Sequence, residues 1–159
     1  MKIKEMKSLL LFLLLLSSFA LYSQKIATSF DDAIKNRGIT LEKLDDRYKS
    51  ALGDDSTKAA FWGQEKEFIA GYTSLLNDLG RYLKKNNFSW GKTTRCFNRI
   101  YINSDGRIDY FLFNFAPGTI ETLKETQFKK LVNEFIKTYN FPLKNKIAFA
   151  QCSPVKYSD

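Results

Sequence analysis

The sequence predicts an α+β fold, on three observations. Apolar residues recur every three to four positions within residues 24–87, the apolar period falls to two near Trp90, and a further helical stretch separates the last two strand-like segments. The predicted order is helices, strand, strand, helix, strand. We expect one domain over residues 24–159, with a helical part (24–87) and a strand-strand-helix-strand part (88–159).

Residues 1–23 have the pattern of a secretory signal peptide. Three lysines precede an apolar run of about fifteen residues, shorter than the roughly twenty that cross a bilayer. This favours a cleaved signal, cut near Ser23, over a membrane anchor. We therefore expect an exported protein, periplasmic or secreted, with no stable membrane anchor.

Two helices are predicted in the first part. One repeats apolar residues at helical spacing: Leu41, Leu44, Tyr48 and Leu52. Thr40 is its expected N-cap and Gly53 its stop. A longer amphipathic stripe runs from Phe61 to Leu83, and because Gly63 weakens a helix, we expect the helix to start after this residue or to bend there.

A β-hairpin is predicted around the turn Asn103-Ser104-Asp105-Gly106. A three-residue loop with Gly106 in the left-handed region pairs Asn103 with Arg107 and keeps the apolar faces in step. One face then carries Ile100, Ile102, Ile108, Tyr110 and Leu112. The other carries Phe97, Arg99, Tyr101, Phe111, Phe113 and Phe115. Both faces are apolar enough to need cover.

A third amphipathic helix follows the hairpin. Thr122 to Glu125 fits a capping box at its start, and Phe141-Pro142 stops it. Lys146 to Ser153 is the last predicted strand. A helix that crosses from the second strand to the third returns the third beside the first, so the predicted sheet is three-stranded and antiparallel, in the order 2-1-3.

Cys96 and Cys152 are expected to form a disulfide. An exported chain meets an oxidising compartment, and the predicted topology brings the start of the first strand and the close of the third to the same end of the sheet. The chain has no histidine, so two thiols are too few for a structural zinc site and a Cys/His nucleophile is impossible. We assign no metal ligand and no cofactor.

The residue inventory argues against an enzyme. Glycine-rich phosphate loops and nucleophile-elbow serines are missing from the sequence. Adjacent aspartates such as Asp31-Asp32 point about 100° apart on a helix, which does not give the convergence that carboxylate catalysis needs. We assign no catalytic residue and keep a small hydrolase only as a third alternative.

Basic charge is concentrated in the second half, where residues 88–159 carry eleven basic and six acidic residues. Such a surface fits an anionic ligand or simple solubility. Aromatic and basic residues alternate around Phe97 and Arg99, as on surfaces for single-stranded nucleic acid. Export argues against a nucleic acid partner, and the aromatics have a simpler role as the packing surface of the helix from Phe61 to Leu83.

Residues 61–157 resemble the C-terminal domain of TonB-type energy transducers in their order of helix, hairpin, helix and strand. Phe97 to Ile108 is similar to that family's first strand and Asp-Gly turn, and Phe128 to Tyr139 occupies the place of its long helix. Cys152 to Tyr157 resembles its closing strand. Phe61-Trp62-Gly63-Gln64 is a degraded form of its Phe-Pro-Gly-Gly entry.

The resemblance implies binding rather than force transmission, because we find neither the family's anchor nor its proline-rich spacer in this sequence. In that family a peptide adds as a strand beside the last strand of the sheet. Here the corresponding residues are Ile147, Ala148, Phe149, Ala150 and Gln151. The alternative is a plain structural edge protected by Lys146, Pro154 and Lys156.

The functional expectation is therefore a non-enzymatic envelope or periplasmic module that binds an envelope protein or an extended peptide. The alternative is a binder of an anionic ligand or surface through the basic C-terminal half. Nothing in the sequence specifies an oligomeric state.

Overall fold

The computed structural model describes residues 25–159, so the predicted leader lies outside the described residues. The elements in chain order are β1 (Ile26–Ser29), α1 (Phe30–Arg37), α2 (Leu41–Asp45), β2 (Lys49–Ser50), α3 (Glu65–Lys85), β3 (Thr94–Ile102), β4 (Ile108–Phe115), α4 (Thr122–Thr138) and β5 (Phe149–Tyr157). Within the described residues, no helix is both long enough and apolar enough to cross a membrane.

One mixed sheet of five strands, in the order β1-β4-β3-β5-β2, organises the chain. Strand β3 is antiparallel to β4 and β5, whereas the outer strands β1 and β2 run parallel to their neighbours. The predicted three-stranded antiparallel sheet is therefore wrong, although the fold is α+β. The two outer strands come from the part predicted to be helical, and with four and two residues they are too short to show a period of two.

The two helices predicted in the first part, α2 and α3, begin at the expected positions, but α2 ends earlier than expected. The Thr40 hydroxyl caps α2 by accepting from Lys43 N at 3.4 Å, yet α2 ends at Asp45 and the chain then enters β2. Tyr48 explains the change, because its buried hydroxyl donates to Asp109 Oδ2 at 2.7 Å and draws this segment onto the sheet. Helix α3 begins after Gly63, which confirms that prediction.

Helix α4 begins at the predicted position without the predicted cap. Its first residue is Thr122, but the N-cap is Glu121, which makes no side-chain capping bond. The capping box predicted over Thr122 to Glu125 is therefore absent.

The hairpin turn has the predicted three-residue form. Asn103 N donates to Arg107 O at 2.9 Å, and Gly106 has a φ of +86°. The turn is also fastened to the segment after α4, since Phe141 N donates to Gly106 O at 2.8 Å. A Cβ on Gly106 would stand 2.9 Å from Phe141 O, so glycine is required here for space as well as for conformation.

A β-bulge at Asp109 changes the register beyond the turn. Ile102 lies opposite Ile108 as predicted, but Tyr101 lies opposite Tyr110, so β4 carries one extra residue between these pairs. The predicted faces were therefore wrong for β4. Its phenylalanines share a face with the isoleucines of β3, because one inserted residue exchanges the two faces of a strand.

The two faces of the sheet differ in their cover. The front face packs under α3 and α4 and includes the buried residues Cys96, Ile100, Phe111, Phe113, Phe149 and Tyr157. The back face meets α1 and α2 through a smaller cluster of Ala33, Leu44, Tyr48, Tyr101, Leu112 and Ala150. The predicted aromatic packing surface is thus divided, since Phe113 is fully buried on the front while Phe97 is 41% exposed on the back.

The predicted disulfide is wrong, because both cysteines are free and they are not at disulfide distance. In the β3–β5 register Cys96 lies opposite Val155, while Cys152 lies opposite Arg99. Cys152 and Val155 are three residues apart, and an odd separation along a strand puts side chains on opposite faces. The thiols thus lie three residue pairs apart along the β3–β5 ladder and on opposite faces of the sheet.

Candidate functional site

The β1 edge of the sheet is closed by a side chain of α4. Ala27 N donates to Asn133 Oδ1 at 2.9 Å, and Asn133 Nδ2 donates back to Ala27 O at 2.6 Å. The asparagine amide thus takes the place of a neighbouring strand residue. The outward backbone groups of Ala27 are satisfied, which removes the usual liability of an edge strand.

The segment predicted to bind a peptide, Ile147 to Gln151, is already paired. Lys49 N donates to Ala148 O at 3.0 Å, and Ala51 N donates to Ala150 O at 2.8 Å. These bonds use the carbonyls that an added strand would need.

The side chains of the predicted segment do not converge on a ligand either. Phe149 is fully buried in the core and Ala150 is buried on the back face, whereas Gln151 is half-buried and Ile147, before the strand begins, is 38% exposed. The structure therefore gives this stretch a role in holding β2 to the sheet.

Strand β2 is covered in its turn by the chain that leads into α3. Ala60 N donates to Ser50 O at 2.8 Å, and Phe61 N donates to Ala51 O at 3.0 Å. Phe61 is buried against Phe149, with ring centroids 4.8 Å apart. This second edge of the sheet is consequently closed as well.

Within the described residues, the longest stretch of strand backbone without an outer neighbouring strand is Cys152 to Tyr157, which we call the open β5 edge. Since Ala148 and Ala150 turn their carbonyls towards β2, alternation along the strand turns the backbone groups of Cys152, Pro154 and Lys156 away from β3. Strand β3 is the only strand that pairs with this stretch in the part of the chain described.

Pro154 lies inside the open β5 edge, although the sequence predicted that the last strand ends before it. A proline lacks a backbone N–H, and at an outward position the inner ladder to β3 does not need one. The strand therefore continues through Pro154 to Tyr157.

A groove on the front side runs along the open β5 edge beside α3. Its volume is about 890 Å³, and its lining includes Leu76, Gly80, Leu83, Trp90, Val155 and Tyr157. At one end the Asp159 carboxylate accepts from Trp90 N at 2.7 Å and Gly91 N at 2.8 Å. These hydrogen bonds lower the pKa of Asp159 and fasten the chain end to the groove wall.

A second groove, of about 780 Å³, lies on the back side of the same edge. Its lining includes Arg95, Phe97, Asn114, Ala116, Pro154 and Lys156. The small back-face cluster under α1 and α2 includes none of these residues. Phe97 consequently keeps 41% of its surface exposed.

Basic side chains surround the open β5 edge. Lys84, Arg95 and Lys156 are exposed and form no ion pair with another described residue. Arg81, three residues before Lys84 on α3, is by contrast paired with Asp78. The edge therefore presents uncompensated positive charge.

No protein-family model, curated protein or solved structure matches this chain.

A third pocket, of about 640 Å³, brings Arg99 and Asp45 together near Cys152. Arg99 pairs with Asp45, whose Oδ1 also accepts from the Tyr101 hydroxyl at 3.3 Å. Burial raises the pKa of the Cys152 thiol, and the opposing effect of Arg99 does not reverse this. The pocket therefore lacks the depressed thiol pKa that an activated cysteine nucleophile requires.

The described residues contain no group of three or more acidic or cysteine side chains placed to hold a metal ion.

Sequence reasoning missed the open β5 edge because its position depends on pairing. The alternation of Arg95, Phe97 and Arg99 was visible in the sequence, but their neighbours on β5 were not. The one available signal is Pro154 followed by alternating residues, and a proline more commonly marks the end of a strand.

Proposed function

We propose that this chain is a non-enzymatic binding protein that captures an extended segment of a partner as a sixth strand beside β5. The open β5 edge carries the proposal, because the backbone groups of Cys152, Pro154 and Lys156 point outward without a strand to pair with. The Cys152 carbonyl accepts from the side chain of its neighbour, Gln151 Nε2, at 2.8 Å, and an added strand would replace this bond. The other edges, at Ala27 and at Ser50, are closed by hydrogen bonds. In the described part of the chain, Cys152 to Tyr157 is thus the longest stretch available for strand addition.

The two grooves support the same mode of binding. Side chains of an added strand alternate between the faces of the sheet, so one set would enter the front groove beside α3 and the other the back groove beside Phe97. Each backbone hydrogen bond contributes about 0.5–1.5 kcal/mol net. Backbone pairing alone therefore gives modest affinity, and the grooves would supply the rest.

The resemblance to TonB-type C-terminal domains implies this mode too, with the peptide beside the last strand. The position differs from the sequence prediction, since Phe149 and Ala150 are paired with β2 and the open stretch begins at Cys152. We propose an exported protein acting in the envelope or outside the cell, with an envelope protein as the partner.

A proline scan of the edge tests the proposal. Lys156→Pro removes an outward N–H and places a ring where an added strand would lie, without touching a bond to β3. A peptide selected from a random displayed library on the wild-type protein is expected to bind this variant about tenfold more weakly or worse in fluorescence anisotropy.

Lys156→Thr is the matched control, because it keeps the N–H and is expected to lose much less affinity. Hydrogen exchange on the wild-type complex should show new protection at the amides of Cys152 and Lys156. Failure to select any peptide, or selected peptides that bind Lys156→Pro as well as wild type, would refute strand addition at this edge.

A further inference from the structure

We propose that the partner segment carries an acidic side chain two residues from an apolar one, both over the back face of the sheet. This inference rests on the proposed strand addition and specifies the partner's chemistry. It follows from the rows of side chains that cross β3 and β5 at the open β5 edge.

The first row contains two cations side by side. Arg95 lies directly opposite Lys156, both exposed on the back face, and like charges directly opposite each other destabilise a sheet. Neither pairs with an acidic residue in the described part of the chain. A carboxylate on an added strand, in the same row beside Lys156, would offset this repulsion.

The second row is apolar. Phe97 lies opposite Pro154, and 41% of Phe97 is exposed at the floor of the back groove. A residue of the added strand in this row would lie directly beside Pro154, with the Phe97 ring one strand farther across the same face. An apolar side chain fits here, two residues from the acidic one, because residues that share a face are two apart.

The third row does not require a second acidic residue in the partner segment. Arg99 lies opposite Cys152, and its Nη2 is already paired with Asp45, while its Nε is buried without a partner among the described residues. On the back face, the cations without an acidic partner among the described residues are thus Arg95 and Lys156.

A second copy of this chain is a poor occupant of the edge. Pairing the same edge with itself would bring another Lys156 and another Arg95 to a surface that is already basic. The charge favours a different protein with an acidic extended segment.

The test compares peptides selected from one random displayed library on two proteins, wild type and Arg95→Glu/Lys156→Glu. Both substituted side chains are exposed, so the variant should fold, which circular dichroism checks. Wild type is expected to enrich Asp or Glu two positions from an apolar residue. The variant is expected to enrich Lys or Arg at the same position.

Single peptides then measure the effect. Replacing the selected acid by Gln is expected to weaken binding to wild type about fivefold at low salt, and less at about 0.5 M salt because of screening. The Gln replacement should leave binding to the charge-reversed variant unweakened.

The outcomes separate the two proposals. Wild type could select peptides that bind less well to Lys156→Pro but are not enriched in acidic residues, or both proteins could select the same residues. Either outcome would overturn the proposal of an acidic partner segment and would leave the proposal of strand addition intact. Selection of no peptide by either protein would overturn both. A third outcome is that neither protein selects a peptide, while wild type binds phosphatidylglycerol vesicles and Arg95→Glu/Lys156→Glu does not. This outcome would assign the basic edge to an anionic surface instead.

Discussion

Cys96 and Cys152 show how the face of a strand decides the chemistry of a single residue. Cys96 is buried on the front face, and this burial raises its thiol pKa to about 12. Its Sγ lies 3.3 Å from Asn98 Oδ1, inside the core. Cys152 lies exposed on the back face. The two thiols should therefore differ in reactivity, although one strand pairing carries both.

Thiol labelling tests this difference. In the native protein near pH 8 we expect Cys152 to react with a maleimide while Cys96 reacts only in denaturant, because the buried thiol is both inaccessible and protonated. Mass spectrometry of the labelled protein counts the modified residues.

The variant Cys152→Ser is the control and should show no reactive thiol before unfolding. An oxidised monomer in which neither cysteine reacts, even in denaturant, would mean that the two sulfurs are bridged and would contradict the strand faces described above.

At the scale of an element, the edges of the sheet are closed by different means. An asparagine side chain satisfies β1, a following loop covers β2, and a proline removes one donor from the open part of β5. The first device depends on one residue of α4. Asn133 also donates to Lys129 O at 2.8 Å, which holds its amide in position.

Replacing Asn133 by Ala should release the β1 edge. It leaves the N–H and carbonyl of Ala27 without partners, which predicts a loss of about 1–3 kcal/mol in the free energy of unfolding. Urea denaturation measures the loss, and hydrogen exchange should show faster exchange at Ala27.

Glu134→Ala on the same helix is the matched control, because its pair with Lys137 is exposed and worth about 0.5 kcal/mol or less. Equal stability of the two variants would show that the amide does not act as the edge of the sheet.

Across the whole molecule, buried tyrosines tie stability to alkaline pH. Burial raises the pKa of Tyr48, Tyr101 and Tyr157 above the ordinary value of 10.0. Burial also raises the pKa of Tyr72, to about 12. The folded protein keeps these protons where the unfolded chain loses them. Their contribution to stability is fully present below about pH 10 and is lost as pH rises towards the folded values.

The free energy of unfolding should therefore fall steadily between about pH 10 and about pH 12, with little change due to tyrosine below about pH 9. Urea titrations at several pH values measure it. In Tyr72→Phe the fall should be shallower, since one of the contributing groups is gone. A stability that stays constant over this range, or a slope unchanged in the variant, would argue against these raised pKa values.

The parts of the fold that could be predicted from sequence are those set by neighbouring residues. The start of α3 after Gly63, the Thr40 cap and the three-residue turn at Gly106 each depend on bonds within a few positions. The start of α4 at Thr122 was found too, though without its cap. Local hydrogen bonding and backbone preference act wherever the segment lies, so sequence carries this information.

Sequence by itself thus determined the α+β class, the longer helices and the hairpin turn. Tertiary structure alone decided the five-stranded sheet, the bulge at Asp109, the separation of Cys96 from Cys152 and the open β5 edge. These features depend on which distant segments pair and in what register. The two residues of Lys49–Ser50, for example, are too few to give a recognisable strand pattern in the sequence. A shift of one residue exchanges the faces of a strand, so the candidate site exists only once the pairing is made.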